Sequence, residues 1–278
     1  MIIVMSRIKT QPIGVFDSGI GGLTAVKELI KLLPEEDIVY FGDTARVPYG
    51  SRDSDTIVNF AKQDLKFLLS KKVKAVLIAC GTASSTSLHI LKQMTDIPVV
   101  GVIEPAAEAA VKATKNNKIA VLATQASISS HAYFKAIKQL IADNGQKYEI
   151  LEKACHLFVP LVENGFTDKA HPIVKAVMDE YLKEIRSFGA DTIILGCTHY
   201  PLLKDAIQAY LPETAIIESG KEAARYIADM LPADLRNSSG GKREYYVSEA
   251  TSTFKEACSI FVGERISQNP IVVNIENI

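Results

Sequence analysis

The sequence lacks the long apolar run of a membrane span and shows no excess of either charge. A membrane-spanning helix needs about 18 or more consecutive apolar residues, and the "MIIVM" start offers only a short patch. Lys plus Arg number 31 against 32 Asp plus Glu. No basic run is interleaved with aromatic residues, so a nucleic-acid surface has no electrostatic support. We therefore expect a cytoplasmic protein that acts on a small molecule, without membrane or nucleic acid.

Cysteine is scarce, which argues against two classes of protein. The four cysteines are Cys80, Cys155, Cys197 and Cys258. They are too few and too widely spaced for the disulfide framework of a small secreted domain. No C-x-x-C pair is present, and a zinc site built on Cys197 and His199 would lack the paired ligand spacing of structural zinc motifs. We expect reduced thiols and no bound metal.

Short β-branched runs alternate with helical patterns along the chain. In "LTAVKELIKLL", Leu23, Val26, Ile30 and Leu33 form the apolar stripe of a helix that covers a sheet. Continuous apolar strands joined by helices predict an α/β fold with parallel sheets buried on both faces. At 278 residues the chain has the length of two domains. The predicted strands are 13–17, 38–43, 75–80, 97–102, 118–124, 148–153, 192–197 and 215–220.

Two of these strands run into a cysteine. "LIACGTASS" (77–85) and "IILGCTHYP" (193–201) share the order strand, cysteine, small residue or threonine. Cys80 follows Asp17 by 63 residues, and Cys197 follows Thr124 by 73. This pattern is typical of an internal duplication, although recurrent strand-end chemistry in any α/β protein could imitate it. Ligands of open α/β sheets bind at the carboxyl ends of strands, so a duplication would place both thiols at one cleft.

The thiols are candidate acid/base groups. A thiol acts as a base only when ionised, and a helix N-terminus lowers its pKa. Thr82 and Thr198 follow the cysteines and are typical helix caps, so we expect both thiols to be activated by backbone. The alternative is that Cys80 and Cys197 are small buried hydrophobes, the common fate of a free cysteine.

Histidines and one aspartate are the next candidates. His199 follows Cys197 by two residues and could exchange protons near neutral pH. His156 stays open, whereas His89, His131 and His171 are expected to cap or pack. Asp17 enters "SGIGG", whose third fingerprint glycine is replaced by Thr24, so a dinucleotide site is disfavoured. A carboxylate beside a substrate ammonium group fits Asp17 better than an aspartyl nucleophile.

The sequence resembles the glutamate racemases. The motifs that carry the resemblance occur in the family's order: "VFDSGIGGL", "FGDTARVPYG", "LIACGTAS", "GVIEP", "FVPLVENG" and "LGCTHYPLL". The resemblance implies a cofactor-independent isomerase that supplies D-glutamate for peptidoglycan. It also implies two α/β domains related by a pseudo-twofold axis, 1–104 plus 214–278 and 105–213, with the active site between them. We further expect a homodimer.

The same resemblance assigns the site residues. It implies that Cys80 and Cys197 are the catalytic acid/bases and that Asp17 and His199 assist them. The residues implied to bind glutamate are Asp17, Ser18, Tyr49, Gly50, Gly81, Thr82, Thr198 and His199. No role follows for His156 or Glu163.

Position 81 departs from the family pattern. The family motif C-N-T-A is "CGTA" here, so Gly81 replaces an asparagine that binds substrate in the family. Ser127, His156 and Glu218 replace the family's threonine, proline and aspartate. Three alternatives follow: a glutamate racemase, a racemase retuned to another amino acid such as aspartate, or a non-catalytic amino-acid binding module. A lost hydrogen bond to a charged group is worth about 1.5 to 3 kcal/mol, so Gly81→Asn is expected to raise kcat/KM roughly ten- to a hundredfold.

Overall fold

Parallel strands alternate with helices through the computed structural model, which describes residues 9–142, 145–250, 254–262 and 269–277. The strands are β1 Ile13–Asp17, β2 Ile38–Gly42, β3 Ala75–Ile78, β4 Val99–Gly101, β5 Lys118–Ala123, β6 Glu149–Ala154, β7 Thr192–Leu195, β8 Ala215–Glu218, β9 Arg243–Val247 and β10 Ile271–Val272. The helices are α1 Leu23–Leu32, α2 Ser54–Ser70, α3 Gly81–Leu91, α4 Ile103–Ala113, α5 Gln125–Ser130, α6 Ala132–Leu140, α7 Phe158–Glu163, α8 Pro172–Phe188, α9 Lys204–Tyr210, α10 Ser219–Met230 and α11 Phe254–Val262. Short 3-10 turns cover Tyr49–Ser51, Tyr200–Leu203, Ala233–Leu235 and Ile275–Asn277.

The strands form two sheets, and within each sheet every pair of neighbouring strands is parallel. The larger sheet has the order β10-β9-β2-β1-β3-β4, and the smaller has the order β6-β5-β7-β8. β1, β2 and β3 are buried along their whole length, because helices cover both faces of the sheet. The predicted α/β class with parallel sheets is confirmed.

The two sheets repeat one topology. The order β2-β1-β3-β4 in the first sheet matches β6-β5-β7-β8 in the second, strand for strand. β3 and β7 are therefore equivalent, and Cys80 and Cys197 each follow their strand by two residues. This equivalence supports the predicted duplication over chance similarity of strand ends.

All eight predicted strands are present, with ends that differ by at most three residues. β9 and β10 were missed. β9 begins with the charged pair Arg243 and Glu244, so its sequence lacks the continuous apolar pattern by which the other strands are predicted, although its second half is buried. β10 is a two-residue exposed edge strand. Both lie beyond β2, on the edge of the first sheet.

The chain crosses between the sheets through helices. α10 packs on α1 of the first half and on α4, which in turn packs on β7 and β8. β8 pairs with β7 along Thr192–Leu195, so it belongs to the second sheet, whereas the predicted division placed 214–278 in the first domain. The domain division itself stays a prediction. Within the described residues, no helix is both long and apolar enough to cross a membrane.

Candidate active site

A cavity of about 770 Å³ opens between the two sheets, at the carboxyl ends of their strands. That size lies within the usual range for small-molecule sites. Both halves supply its walls, and both thiols line it. The predicted site residues in its lining are Ser18, Tyr49, Gly50, Cys80, Gly81, Thr82, Cys197, Thr198 and His199. The lining also includes Cys155, Glu163 and the exposed His156, which places His156 at the rim.

Cys80 caps its own helix. It is the N-cap residue of α3, and its Sγ accepts a hydrogen bond from the Ala83 N–H at 3.4 Å and lies 3.5 Å from the Ser18 Oγ. Burial raises the pKa of the Cys80 thiol to about 12, the charge of Asp17 adds to the rise, and the Ser18 and Ala83 hydrogen bonds oppose it. The backbone therefore lowers the pKa of this thiol as expected, but burial outweighs the helix N-terminus and the net shift is upward.

Asp17 is a buried carboxylate at the end of β1, behind the cavity wall. Its Oδ2 accepts the Gly19 N–H at 3.1 Å, and its Oδ1 is buried without a hydrogen-bond partner among the described residues. Burial raises the pKa of Asp17, while the His199 charge and nearby N–H groups lower it. An unpartnered buried carboxylate oxygen is costly unless a ligand cation or donor completes it.

Cys197, His199 and Glu163 form a chain of acid/base groups on the second half. The Cys197 Sγ lies 4.0 Å from the His199 Nδ1. The Nε2 of the same ring lies 3.2 Å from Glu163 Oε1, at ion-pair distance but outside hydrogen-bond direction. Burial lowers the pKa of His199, but Cys197, Glu163 and Asp17 together raise it to about 10. The raised pKa favours the imidazolium form of His199 beside the Cys197 sulfur.

Glu163 was left without a role by the sequence. It ends α7, and its side chain is 48% exposed. Glu163 belongs to the motif "FVPLVENG". Cys197 lies 34 residues after Glu163, and nothing in that spacing predicts a contact between them. Only the folded chain brings them together.

Polar contacts join the halves around the cavity. Thr82 Oγ1 lies 2.9 Å from Thr124 Oγ1, and Thr24 Oγ1 lies 3.1 Å from the Thr198 carbonyl oxygen. Gly21 permits the second contact, because a Cβ there would lie 2.3 Å from Thr198 Oγ1. Thr82 and Thr198 therefore make contacts between the two halves. The prediction that they cap helices is wrong for both residues. Of the histidines expected to cap or pack, His171 caps α8, where its Nδ1 accepts the Ile173 N–H at 3.3 Å.

Gly81 is in a tight contact between the two halves. A Cβ at this position would lie 2.2 Å from the Gly196 carbonyl oxygen. Gly196 precedes Cys197, so a side chain at position 81 would press on the backbone that presents the second thiol. The structure thus contradicts the simple expectation that asparagine at position 81 would only add a hydrogen bond.

Tyr49 lines the cavity without offering its hydroxyl to a ligand. The side chain is buried, and its Oη lies 2.5 Å from Asp43 Oδ2 and 2.9 Å from Asp64 Oδ2. Tyr49 and Gly50 can therefore contribute main chain and ring edge to the cavity. Within the part of the chain that the structure describes, no group of three or more His, Cys, Asp or Glu side chains could hold a metal ion.

The comparison with known protein families decides the affiliation. The family model for Asp/Glu/hydantoin racemases matches residues 16–227, more than half of the chain. The chain belongs to this racemase family. A glutamate racemase of Geobacter metallireducens is 42% identical over 258 residues, covering 91% of this chain and 93% of that one. A glutamate racemase of Persephonella marina is 43% identical over 254 residues, covering 91% and 94%.

Solved racemase structures agree with this fold. The glutamate racemase of Francisella tularensis, crystallised with D-glutamate, superposes with a TM-score of 0.89 at 36% identity and covers 97% of this chain and 100% of its own. The resemblance drawn from the sequence motifs is confirmed at the level of the family. The roles of individual site residues stay predictions.

Proposed function

We propose that this protein is a glutamate racemase that interconverts L- and D-glutamate with two thiols and no cofactor. One observation carries the proposal. Cys80 and Cys197 follow equivalent strands of two sheets with the same topology, and both line a single cavity. Two acid/base groups supplied from two halves are what proton removal and return on opposite faces of one carbon require.

The reaction moves two protons and changes no other bond in the net result. One cysteine, as a thiolate, takes the α-proton from one face of glutamate. The other, as a thiol, gives a proton to the opposite face, and the enzyme is left with the two protonation states exchanged. By resemblance to the glutamate racemases, Cys80 takes the α-proton of D-glutamate and Cys197 takes that of L-glutamate.

The electrostatics of the two sides differ. Asp17 Oδ1 has no hydrogen-bond partner among the described residues, and a substrate ammonium group bound near it would offset the Asp17 charge that raises the pKa of Cys80. Substrate binding thus lowers the pKa of a thiol that burial and the Asp17 charge hold protonated. On the other side, the His199 cation already stands 4.0 Å from the Cys197 sulfur.

Serine substitutions test the assignment of faces. Cys80→Ser retains a group that can deliver a proton but is a far poorer base, so it should impair deprotonation of D-glutamate more than that of L-glutamate. Cys197→Ser should show the reverse. The measurement is elimination from a β-leaving-group analogue of each enantiomer, since equilibrium forbids a one-way racemase. Single variants that lose activity on the D- and L-enantiomers equally would refute the assignment.

Two alternatives are distinguished by the wild type alone. A coupled assay of L- and D-glutamate, with aspartate as the second substrate, separates a glutamate racemase from one retuned around Gly81. Proton exchange in D2O separates enzyme from binding module. A protein that binds glutamate but leaves its α-proton in place would belong to the second class.

The wider biological setting is part of the proposal. The D-glutamate produced would serve peptidoglycan synthesis in the cytoplasm. The homodimer is likewise a proposal, which the mass measured by light scattering on a size-exclusion column tests directly.

A further inference from the structure

A buried polar cluster lies behind the cavity wall, outside the thiol machinery. Its members are Asp43, Arg46, Tyr49 and Asp64. Both carboxyl side chains are fully buried, and the Arg46 side chain is 12% exposed. Tyr49 ties this cluster to the cavity, because residues 47–50 form part of its wall. The cluster is also joined to the site through backbone, since the Asp43 N–H donates to the Asp17 carbonyl at 3.0 Å.

The hydrogen bonds around Tyr49 need one more proton than the four side chains carry in their usual ionised states. Tyr49 Oη stands within hydrogen-bond distance of carboxyl oxygens of both Asp43 and Asp64, at 2.5 and 2.9 Å. A phenol has one proton and can donate to only one of them. Two ionised carboxylates beside one guanidinium would also leave a net buried negative charge, which is costly.

The contacts indicate where the additional proton lies. Asp43 Oδ2 receives both the Tyr49 hydroxyl and the Arg46 Nε–H, the latter at 2.6 Å, so it acts as an acceptor. Among the described residues, Asp64 Oδ2 has only Tyr49 as its partner, and Asp64 Oδ1 has the longer Arg46 contact of 3.2 Å. A proton on Asp64 Oδ2 would donate to the Tyr49 oxygen, whose own proton is given to Asp43. The contacts of Tyr49 and Asp64 are then satisfied, and Asp43 Oδ1 stays buried without a hydrogen-bond partner among the described residues.

We infer that Asp64 is a positioning residue, held as a neutral carboxylic acid that donates to Tyr49 and thereby fixes the cavity wall 47–50. This inference rests on the proposed function for its kinetic consequence, but not for the protonation itself. Arg46 supports the arrangement, because its guanidinium stacks 4.1 Å over the Phe60 ring and donates to Gln63.

The electrostatic surroundings agree. Burial raises the pKa of Asp64 well above its usual range, and the Asp43 charge adds to the rise, whereas Arg46 and the Tyr49 hydrogen bond lower it and Asp17 raises it slightly further. The other charged or titratable side chains on α2 and on the elements packed against it include Asp55, Lys62, Lys66, His89 and Glu276. Of the cations among the described residues, only Arg46 forms an ion pair with Asp64.

The protonation is tested without any assay of activity. In D2O the infrared spectrum of the wild type should contain the C=O band of a neutral buried carboxylic acid at neutral pH. Asp64→Asn should remove this band, and in the wild type the 13C carboxyl resonance of Asp64, but not that of Asp43, should have the chemical shift of a neutral acid. A spectrum without the band, or a band that survives Asp64→Asn, would overturn the inference whether or not the protein is a racemase.

The positioning role is tested by kinetics on a wild type first shown to racemise glutamate. Asp64→Asn keeps a donor toward Tyr49, so KM at pH 7 should stay within about threefold of the wild type. Asp64→Leu removes the donor and should raise KM roughly tenfold with a smaller change in kcat. Tyr49→Phe should raise KM similarly, and the double variant should not add to it.

The pH profile separates positioning from general packing. Deprotonation of His199, whose pKa is raised to about 10, affects both proteins at alkaline pH, so the wild-type KM should rise more steeply with pH than the KM of Asp64→Asn, whose amide does not titrate. Identical alkaline profiles for the two proteins would refute the role. If Asp64→Leu fails to fold, the comparison of Asp64→Asn with the wild type still decides the matter.

Discussion

Replacing Gly81 tests how closely the two halves approach in the working enzyme. A Cβ at this position would lie 2.2 Å from the Gly196 carbonyl oxygen, and real Cβ contacts are essentially never below 3.0 Å. The halves must therefore separate locally by about 0.8 Å or more. Since the obstructing atom belongs to backbone, no side-chain rotation relieves the contact. The displaced segment is the one that presents Cys197.

The size of the effect follows from overpacking. Forcing an additional group into a packed site costs about 1 to 3 kcal/mol, which is roughly a 5- to 150-fold loss in rate or affinity. A displacement of about 1 Å at a reacting group can alone cost roughly a hundredfold. Gly81→Ala introduces this steric cost without any new hydrogen bond. We expect it to lower kcat/KM for glutamate within that range.

Gly81→Asn adds the same Cβ and also a carboxamide. Because the obstructing atom is backbone, we take the steric cost at its upper end, about 3 kcal/mol; a carboxamide that reaches the substrate returns about 1.5 to 3 kcal/mol, so kcat/KM should lie between the values for Gly81→Ala and the wild type. This replaces the expectation from sequence that Asn raises kcat/KM. The assay is coupled racemisation in both directions, with aspartate as the alternative substrate and urea unfolding to verify the fold.

Two results would refute this reasoning. Unchanged kcat/KM in Gly81→Ala would show that the close contact is absent from the catalytic state. A rise of tenfold or more in Gly81→Asn would show that the cavity accommodates asparagine as the family does. Higher activity of the wild type on aspartate than on glutamate would instead favour the retuned racemase.

Further predictions concern the titrating groups of the site. Because its pKa is raised to about 12, Cys80 in the empty enzyme should be alkylated by iodoacetamide at a rate that increases about tenfold per pH unit from pH 8 to 11; a plateau below pH 9, read by peptide mass spectrometry, would contradict this. Asp17→Asn removes a charge that raises this pKa and should accelerate the alkylation at pH 8, and equal rates would exclude that coupling. His199 has its pKa raised from 6.5 to about 10, so its contribution to the free energy of unfolding is complete below pH 6.5 and is lost as pH rises through 10. The difference in unfolding free energy between wild type and His199→Gln in urea should therefore shrink over that interval, and a difference that grows would refute the assignment. Glu163→Gln should lower the His199 pKa measured by NMR. An unchanged His199 pKa in this variant would contradict the prediction.

The features that are local in sequence were predicted well. The ends of β1 were predicted to the residue, because its apolar run is continuous and ends in a charged Asp17 and a glycine-rich turn. Cys80 and Cys197 were identified because each interrupts an otherwise aliphatic strand end. Such signals depend on residues within one turn or strand of each other.

The features that were missed depend on contacts between distant segments. Nothing in "CGTA" shows that Gly81 meets Gly196, because that contact is fixed by how the halves approach. Asp64 stands in the helical pattern of α2 as one polar residue among many, and only the fold places Tyr49 and Asp43 against it. The pKa of Cys80 was expected to be low but is raised, because the thiol is buried and burial depends on the assembled site.

The pairing of β2 with β9 has a consequence for synthesis. Ile38 pairs with Arg243, 205 residues later, whereas the second sheet is formed entirely from residues 118–218. A chain emerging from the ribosome can therefore assemble the second sheet while β2 still presents an unpaired edge to solvent. Open edges are the surfaces through which unfinished chains join one another. The nascent protein thus has one additional open edge in the interval between translation of β8 and translation of β9, and a chain truncated there would keep that edge.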